Sequence, residues 1–387
     1  MKIDDKTSHN SPSLRFPEFT GEWENKRIGD IGKFFSGGTP SSSRKDFYGG
    51  EIPFIRSGEI HSDKTELFLT QEGYKNSSAK MVEVGDILLA LYGANSGDIS
   101  ISQMRGAINQ AILCIRTNVA PVFFKSVWEK HAQKILNTYL QGGQGNLSAD
   151  IVKKITISIP SQIEQAKIAA LFSHLDERIS IQNRLIEDLK KLRCAIIEKM
   201  FKQSKANGRL GDFIEQVSVR NKNGLYSNVL SVSNKQGFVK QSEQFEDRTV
   251  ASEDTSNYKI VKRNNFAYNP ARINVGSIAR LTKFDVGIVS PMYVCFRTKA
   301  SIIPEYMEAF FTSQQFFYEM MKRLEGSVRL CLSYEGLCNI PVYIPDMNKQ
   351  IAMGQNISLI LSKIGLEIEY LGRLHQQKQY LLRKMFI

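Results

Sequence analysis

The chain has 387 residues and a mass of 43.9 kDa, which is long for one hydrophobic core, so two domains are expected. Its 42 % hydrophobic and 23 % charged residues suit a folded protein, and no stretch approaches the roughly 20 apolar residues that a membrane span needs. A formal charge of +12 favours an acidic partner, nucleic acid first.

The opening "MKIDDKTSHNSPS" is polar and carries acids, unlike a secretory signal, so residues 1–13 read as a disordered tail and the protein as cytoplasmic. Residues 14–160 have the length of one domain. Alternating runs at 86–93 ("DILLALYG") and 106–117 ("GAINQAILCIRT") read as strands, and 121–140 as a helix whose Phe123, Phe124, Trp128 and Tyr139 face a core. "IP" at Ile159-Pro160 then opens a proline-free stretch, 161–205. Apolar residues recur there at heptad spacing: Ile168, Phe172, Leu175, Ile179, Ile186, Leu189, Ile196 and Met200. Residues 206–345 form a second domain-sized segment, with strands expected at 259–270 and 287–298 and a helix at 303–324 carrying Phe310, Phe311, Phe316 and Phe317. The chain closes on a second heptad stretch, 346–387.

Sliding the chain by 185 residues superposes the two heptad stretches without a gap. Ile159-Pro160 falls on Ile344-Pro345, Gln165 on Gln350, and Lys199-Met200-Phe201 on Lys384-Met385-Phe386. The apolar seam is interrupted at the same two places, Gln182 and Arg193 against Glu367 and Lys378. Each stretch, if one helix, is roughly 60 Å long. Matched seams with matched defects predict that the two helices pair with each other, antiparallel. The preceding segments repeat too: Cys114 falls over Cys295 and Leu147-Ser148 over Leu332-Ser333. Similar ends with divergent middles imply one α+β scaffold carrying two different surfaces.

Catalytic signatures are missing. There is no GxxxxGK[ST] loop and no G-x-G-x-x-G opening a helix, so no cofactor is expected. "YNPA" at 268–271 only partly matches the Asn-Pro-Pro-aromatic element of amino-methyltransferases. The five histidines and five cysteines form no nucleophile or metal pattern, and most cysteines are expected to be reduced and buried. Polar loops look instead like a contact surface. Arg and Lys suit phosphates and guanine, Asn and Gln suit adenine, and Ser and Thr reach either. The candidates for contacting DNA are Thr39, Ser42, Arg44, Lys45, Arg56, Asn95, Gln144 and Asn146 in the first half. In the second half they are Arg220, Lys222, Lys235, Asn269, Arg272 and Arg329.

From "LRFPEFTGEWENKRIGDIGKFFSGGTPS" (14–41), "IPFIRSGEI" (52–60), "VGDILLALYG" (84–93), "GNLS…IP" (145–160), its echo "LCLS…IP" (330–345) and the two long helices, the chain resembles the specificity (S) subunit of type I restriction–modification systems. The likeness runs from about Leu14 to Ile387, although the second half has "GDFIEQVSVRNKNG" (211–224) in place of the "GGTPS" turn. What this resemblance implies is a non-catalytic, pseudo-twofold subunit. It would have target recognition domains at 14–160 and 206–345 and an antiparallel coiled coil from 161–205 and 346–387. Each domain would read half of a bipartite asymmetric site in double-stranded DNA. The coiled coil would set the spacing and dock methyltransferase (M) subunits, two by symmetry, with motor–nuclease (R) subunits joining. A self-contained DNA methyltransferase or nuclease, or a coiled-coil scaffold with no DNA role, are the alternatives.

Overall fold

The computed structural model describes residues 10–140, 147–202, 205–234, 236–244, 254–327 and 329–387. The chain divides into two compact units, Met1–Asn183 with Glu369–Ile387, and Arg184–Ile368.

Unit 1 contains β1 (Glu24–Arg27), β2 (Gly32–Ser36), β3 (Tyr48–Ile55), β4 (Phe68–Leu69), β5 (Lys80–Val82), β6 (Ile87–Ala90), β7 (Ile99–Ile101), β8 (Gly106–Ile108), β9 (Ile112–Thr117) and β10 (Thr156–Ile159). They form two four-stranded sheets, β2-β9-β6-β7 and β4-β3-β8-β5, and a ribbon, β1-β10. Unit 2 contains β11 (Gly208–Arg209), β12 (Ile214–Gln216), β13 (Val229–Ser233), β14 (Gly237–Lys240), β15 (Lys259–Lys262), β16 (Phe266–Tyr268), β17 (Ile278–Arg280), β18 (Val286–Val289), β19 (Val294–Thr298) and β20 (Pro341–Val342). Its sheets are β12-β19-β16-β17, β14-β13-β18-β15 and β11-β20. Every strand of the second set therefore stands where the strand ten places earlier stands in the first. Even the parallel pair recurs, β3 with β8 and β13 with β18.

The stretches 106–117, 259–270 and 287–298, expected as single strands, are each two. The chain leaves one sheet and enters the other at Asn109–Ala111, at 263–265 and at 290–293. Strands that change sheet need a corner. At the second corner Asn264 takes φ +68°, a left-handed value that asparagine tolerates better than most residues. The inner faces supply cores around Leu113 and Ile115 in unit 1 and Phe266 and Phe296 in unit 2, with the two rings of the latter pair stacked 5.2 Å apart.

Helices run over Pro121–Leu140 in unit 1 and over Pro304–Phe311 and Gln314–Met321 in unit 2, where Ser313 caps a break in the expected single helix. Phe123, Phe124, Trp128, Phe310, Phe311 and Phe316 are buried as expected; Phe317 is exposed, and the Tyr139 side chain lies outside the described residues. The long helices are Gln162–Lys202 and Met347–Met385, 41 and 39 residues.

The repeated residues do equivalent work. Gln165 accepts a hydrogen bond from the Ala120 amide, just ahead of the helix Pro121–Leu140, and donates to the Pro160 carbonyl. Gln350 accepts from the Ile303 amide, just ahead of Pro304, and donates to the Pro345 carbonyl. Ser148 and Ser333 cap short helices, Ala149–Lys154 and Tyr334–Cys338, and the leucine before each is buried. The two "KMF" endings bury their phenylalanines. Phe386 lies 5.4 Å from Phe123 and from Phe172 in unit 1, and Phe201 lies 5.3 Å from Tyr306 and 5.2 Å from Phe310 in unit 2.

Within unit 1 the helix segments run in opposite senses. Phe172 meets Phe386, Asp176 pairs with Lys378, and Arg178 donates to the Tyr370 hydroxyl, so partner numbers fall as residue numbers rise. The seam interruption at Lys378 is an ionic cluster: its ammonium lies 2.7 Å from Asp176 and 2.8 Å from Glu129, and Lys125 reaches both acids at 2.7 Å. Burial pushes the Asp176 carboxyl up, yet the two lysines outweigh it and hold the carboxyl below its ordinary range. In unit 2 the first segment contributes Ile197 and Phe201, and the second Ile357, to one shared core. The segment before β1 is tied down from Asn10 onward: the Trp23 amide donates to the Asn10 carbonyl, and the Leu14 amide to Lys384. Residues 1–9 of the expected tail lie outside the described residues.

Candidate nucleic-acid interface

The fourteen candidate residues fall in four connections that recur between the units. Thr39, Ser42, Arg44 and Lys45 lie between β2 and β3, as Arg220 and Lys222 lie between β12 and β13. Arg56 follows β3 as Lys235 follows β13, and Asn95 joins β6 to β7 as Asn269 and Arg272 join β16 to β17. Gln144 and Asn146 precede the Ser148 cap as Arg329 precedes the Ser333 cap. Gln144, Asn146 and Lys235 lie outside the described residues.

In unit 1 the exposed Thr39 donates to the Gln110 side chain at 2.5 Å, joining the β2–β3 loop to the corner between β8 and β9. Asn95, exposed on the β6–β7 turn, has its amide beside Gly58, two residues after Arg56. The cations differ in freedom. Arg44 is clamped on Asp46 at 2.9 and 2.5 Å and lies over the Phe47 ring at 4.3 Å. Arg56 is forked on Glu59 at 3.0 and 2.9 Å and reaches Glu66 at 3.1 Å. That guanidinium holds the Glu59 carboxyl down to about 2. Lys45 is exposed and forms no ion pair among the described residues, and Ser42 is exposed beside it.

In unit 2 the turn after β16 collects several candidates. Asn269 is buried; its side-chain oxygen accepts from the Ala271 amide, and its Nδ2 faces Met292 Sδ at 3.8 Å. Arg272 projects from this turn, exposed and without an ion pair among the described residues. The Leu332 amide donates to the Pro270 carbonyl, which brings alongside the loop carrying Arg329, equally exposed and unpaired. Asn234, next to Lys235 in sequence, borders Gly276 at the far end of the same turn. Arg220 and Lys222 lie apart, beside the start of β15, where Arg220 donates to Asn257.

Three exposed neighbours of these candidates were not singled out from the sequence. Gln110 was hidden because 106–117 looks like one strand. Met292 sits in "SPMY", whose proline marks the corner before β19, and Val275 lies in the one-turn helix Ile273–Val275. The "YNPA" element is a structural turn: Tyr268 is buried and donates its hydroxyl to the Leu332 carbonyl. Burial pushes the Cys114 and Cys295 thiols up to about 12, which suits core residues and not nucleophiles. Cys331 and Cys338 are half-buried and Cys194 is exposed, so two of the five cysteines are buried rather than the expected majority. Among the described residues no cluster of His, Cys, Asp and Glu could hold a metal, and no helix is long and apolar enough to cross a membrane.

Residues 20–191 match the family model described as the Type I restriction modification DNA specificity domain. The match covers under half of the 387-residue chain. Among its relatives, the MjaIX specificity subunit of Methanocaldococcus jannaschii is 28 % identical over 194 residues, 46 % of this chain and 44 % of that one. The HindI specificity subunit of Haemophilus influenzae is 28 % identical over 186 residues, 44 % of this chain and 39 % of that one. The EcoR124I/EcoR124II specificity subunit of Escherichia coli is 25 % identical over 187 residues, 46 % of this chain and 45 % of that one. The chain thus spans under half the length of the curated relatives it matches. In fold it is similar over 97 % of its length to the type I system S subunit from M. genitalium, covering 99 % of that chain at TM-score 0.62 and 17 % identity. It is also similar over 94 % of its length to a chain from a study of type I system assembly and conformational transition, covering 97 % of that chain at TM-score 0.54 and 14 % identity. Both likenesses concern the α+β fold alone.

Proposed function

We propose that the chain is the non-catalytic DNA-specificity subunit of a cytoplasmic type I restriction–modification complex. Segments 14–160 and 206–345 are target recognition domains, each reading one half of a bipartite, asymmetric site in double-stranded DNA. Segments 161–205 and 346–387 pair as an antiparallel coiled coil that sets the separation of the half-sites and docks methyltransferase subunits, with motor–nuclease subunits joining through them. The observation that carries the reading is the pairing of one strand order with two chemistries. Equivalent connections hold Gln110 and Asn95 in one unit and Met292 and Arg272 in the other. A symmetric frame with unlike reading turns suits two unlike half-sites.

The heptad seam supports the coiled coil, since Ile168, Phe172, Leu175, Ile186, Ile357, Ile364, Leu374 and Met385 are buried at the expected positions, while near the two helix endings Ile197 and Leu382 are buried in place of the expected Ile196 and Leu381. The opposite helix faces support docking of two equivalent partners. Ile181 and Leu366, 185 residues apart, are 52 % and 62 % exposed, and Leu185 and Tyr370 repeat the pattern one turn on. The test is to map modified adenines in cells carrying a methyltransferase subunit with and without this chain. A two-part motif that appears only with the chain is expected. Methylation that is unchanged, or that follows a single uninterrupted motif, refutes the proposal.

A further inference from the structure

The two units differ in what their heads expose. Among the described residues, the head of unit 1 shows three large exposed apolar side chains, Leu14, Phe68 and Val84. The head of unit 2 shows eight, with Val275, Met292 and Leu330 among them. Single exposed apolar residues are ordinary. Met292 and Val275, 61 % and 52 % exposed, instead share the turn that carries Asn269 and Arg272: Met292 meets Asn269 at its start, and Val275 lies within it, three residues after Arg272.

Both are held on stiff backbone. Pro291 and Met292 occupy the middle of a turn closed by the Tyr293 amide donating to the Ser290 carbonyl. The turn is pinned because Tyr293 is buried. Its hydroxyl accepts from the Val232 amide at 3.3 Å, and its carbonyl accepts from Lys259 at 2.6 Å. Buried Asn269 buttresses the Met292 sulfur. Val275 ends a one-turn helix whose Ile273 is buried and whose exit, Gly276, has φ +89°. Arg272 lies in the same turn as Val275, and the loop carrying Arg329 is tied to that turn through the Leu332 amide and the Pro270 carbonyl; both cations are exposed and form no ion pair among the described residues, which leaves them open to phosphate or guanine. At the equivalent corner of unit 1, two residues before β9, stands Gln110 with its hydrogen-bonded partner Thr39.

In the major groove the apolar feature that separates one base from the others is the thymine C5-methyl. We propose that Met292, assisted by Val275, reads that methyl in the half-site bound by unit 2, while the matching corner of unit 1 reads hydrogen-bonding edges through Gln110. This rests on the DNA-specificity reading above, and it names a base class for one of the two half-sites.

The test uses the full chain assembled with a methyltransferase subunit and duplexes carrying the site mapped in cells. Uracil, which lacks only the methyl, replaces each thymine in turn. One replacement, confined to one half-site, is expected to weaken binding roughly four-fold, the worth of one buried methyl group. The Met292→Ala chain binds thymine and uracil duplexes equally at that position, and Met292→Gln shifts the preferred base there while leaving the other half-site unchanged. Thermal melting of both variants confirms that this exposed position leaves folding intact. Uracil that is neutral at every position, or a site with no thymine in either half, overturns the proposal while leaving the specificity reading standing. Failure to distinguish the mapped site from a scrambled duplex overturns that reading and the proposal together.

Discussion

Removing the second of the two repeated phenylalanines, Phe386→Ala, tests why the chain writes the same helix ending twice. Phe386 is 3 % exposed, with ring centroids of Phe123 and Phe172 at 5.4 Å and of Trp23 at 6.2 Å. A buried phenylalanine removes about 150–200 Å² from water. At about 25 cal/mol per Å² that is roughly 4–5 kcal/mol, and Phe→Ala substitutions in cores cost about 3–5 kcal/mol. Domains are commonly stable by only about 5–15 kcal/mol, so the loss is a large share of what holds unit 1 together. Urea unfolding followed by hydrogen exchange is the suitable assay, because a chain of two units need not unfold in one step. Amides of the helix Pro121–Leu140 should lose protection by about 3–5 kcal/mol, while those of Pro304–Phe311 keep theirs. Phe201→Ala should give the reverse pattern, since Phe201 packs on Tyr306 and Phe310. Ile387→Ala, at a position 37 % exposed, is the control and should cost under about 0.5 kcal/mol. A Phe386→Ala chain no weaker than the Ile387→Ala control refutes the reasoning that these endings are anchors.

Three further outcomes follow from the ionic groups. Lys378→Met strands Asp176 and Glu129 with Lys125 alone and should cost about 2–4 kcal/mol, partly recovered when Asp176→Asn is added; urea midpoints that fail to recover would show the cluster is not coupled. Glu59, held at about 2 against an ordinary 4.5, favours the folded state in its ionised form, so its contribution is full above about pH 4.5 and fades as pH falls toward 2. Glu59→Gln should therefore cost up to about 3 kcal/mol at pH 7 and nearly nothing at pH 2, and a pH-independent difference in urea midpoint would refute the assignment. Arg272→Ala should weaken binding to the cognate duplex by about 1–3 kcal/mol in a fluorescence titration, whereas Arg44→Ala, whose cation is already clamped by Asp46, should change it by under about 0.5 kcal/mol; equal effects would show that internal pairing does not decide which cations are available.

The sequence exposed the frame better than the surface, for a physical reason. Heptad spacing, the "IP" starts and the repeated Gln165 and Gln350 report burial and capping, which local periodicity encodes directly. Corners between sheets are different. Asn109–Ala111 and Ser290–Tyr293 sit inside runs whose side chains alternate as one strand would, so the break shows only once the partners of Ile108 and Ile112 are known to lie in separate sheets. Gln110 and Met292 were lost for that reason, and both stand at those corners. Among the predicted cations, type and loop position were readable, but availability was not. Arg44 and Arg56 look like Arg272 in a string of letters, and differ only because Asp46, Glu59 and Glu66 are folded against them.

Under the proposed function, the division between what repeats and what varies would let the protein change its target without losing its fold. Gln165 and Gln350, the Ser148 and Ser333 caps, and the Phe201 and Phe386 anchors are buried or hydrogen-bonded to backbone, so each is tied to stability. Thr39, Asn95, Arg272 and Met292 are exposed on turns whose geometry is set by other residues: Gly97 at φ +86°, Gly276 at φ +89° and buried Tyr293. Surface substitutions away from caps and cores usually alter stability by less than about 0.5 kcal/mol, whereas a base contact is worth about 1–3 kcal/mol of discrimination. If these turns read bases as proposed, selection acts on them almost independently of the frame, because Thr39, Asn95, Arg272 and Met292 are exposed and stand outside the buried cores.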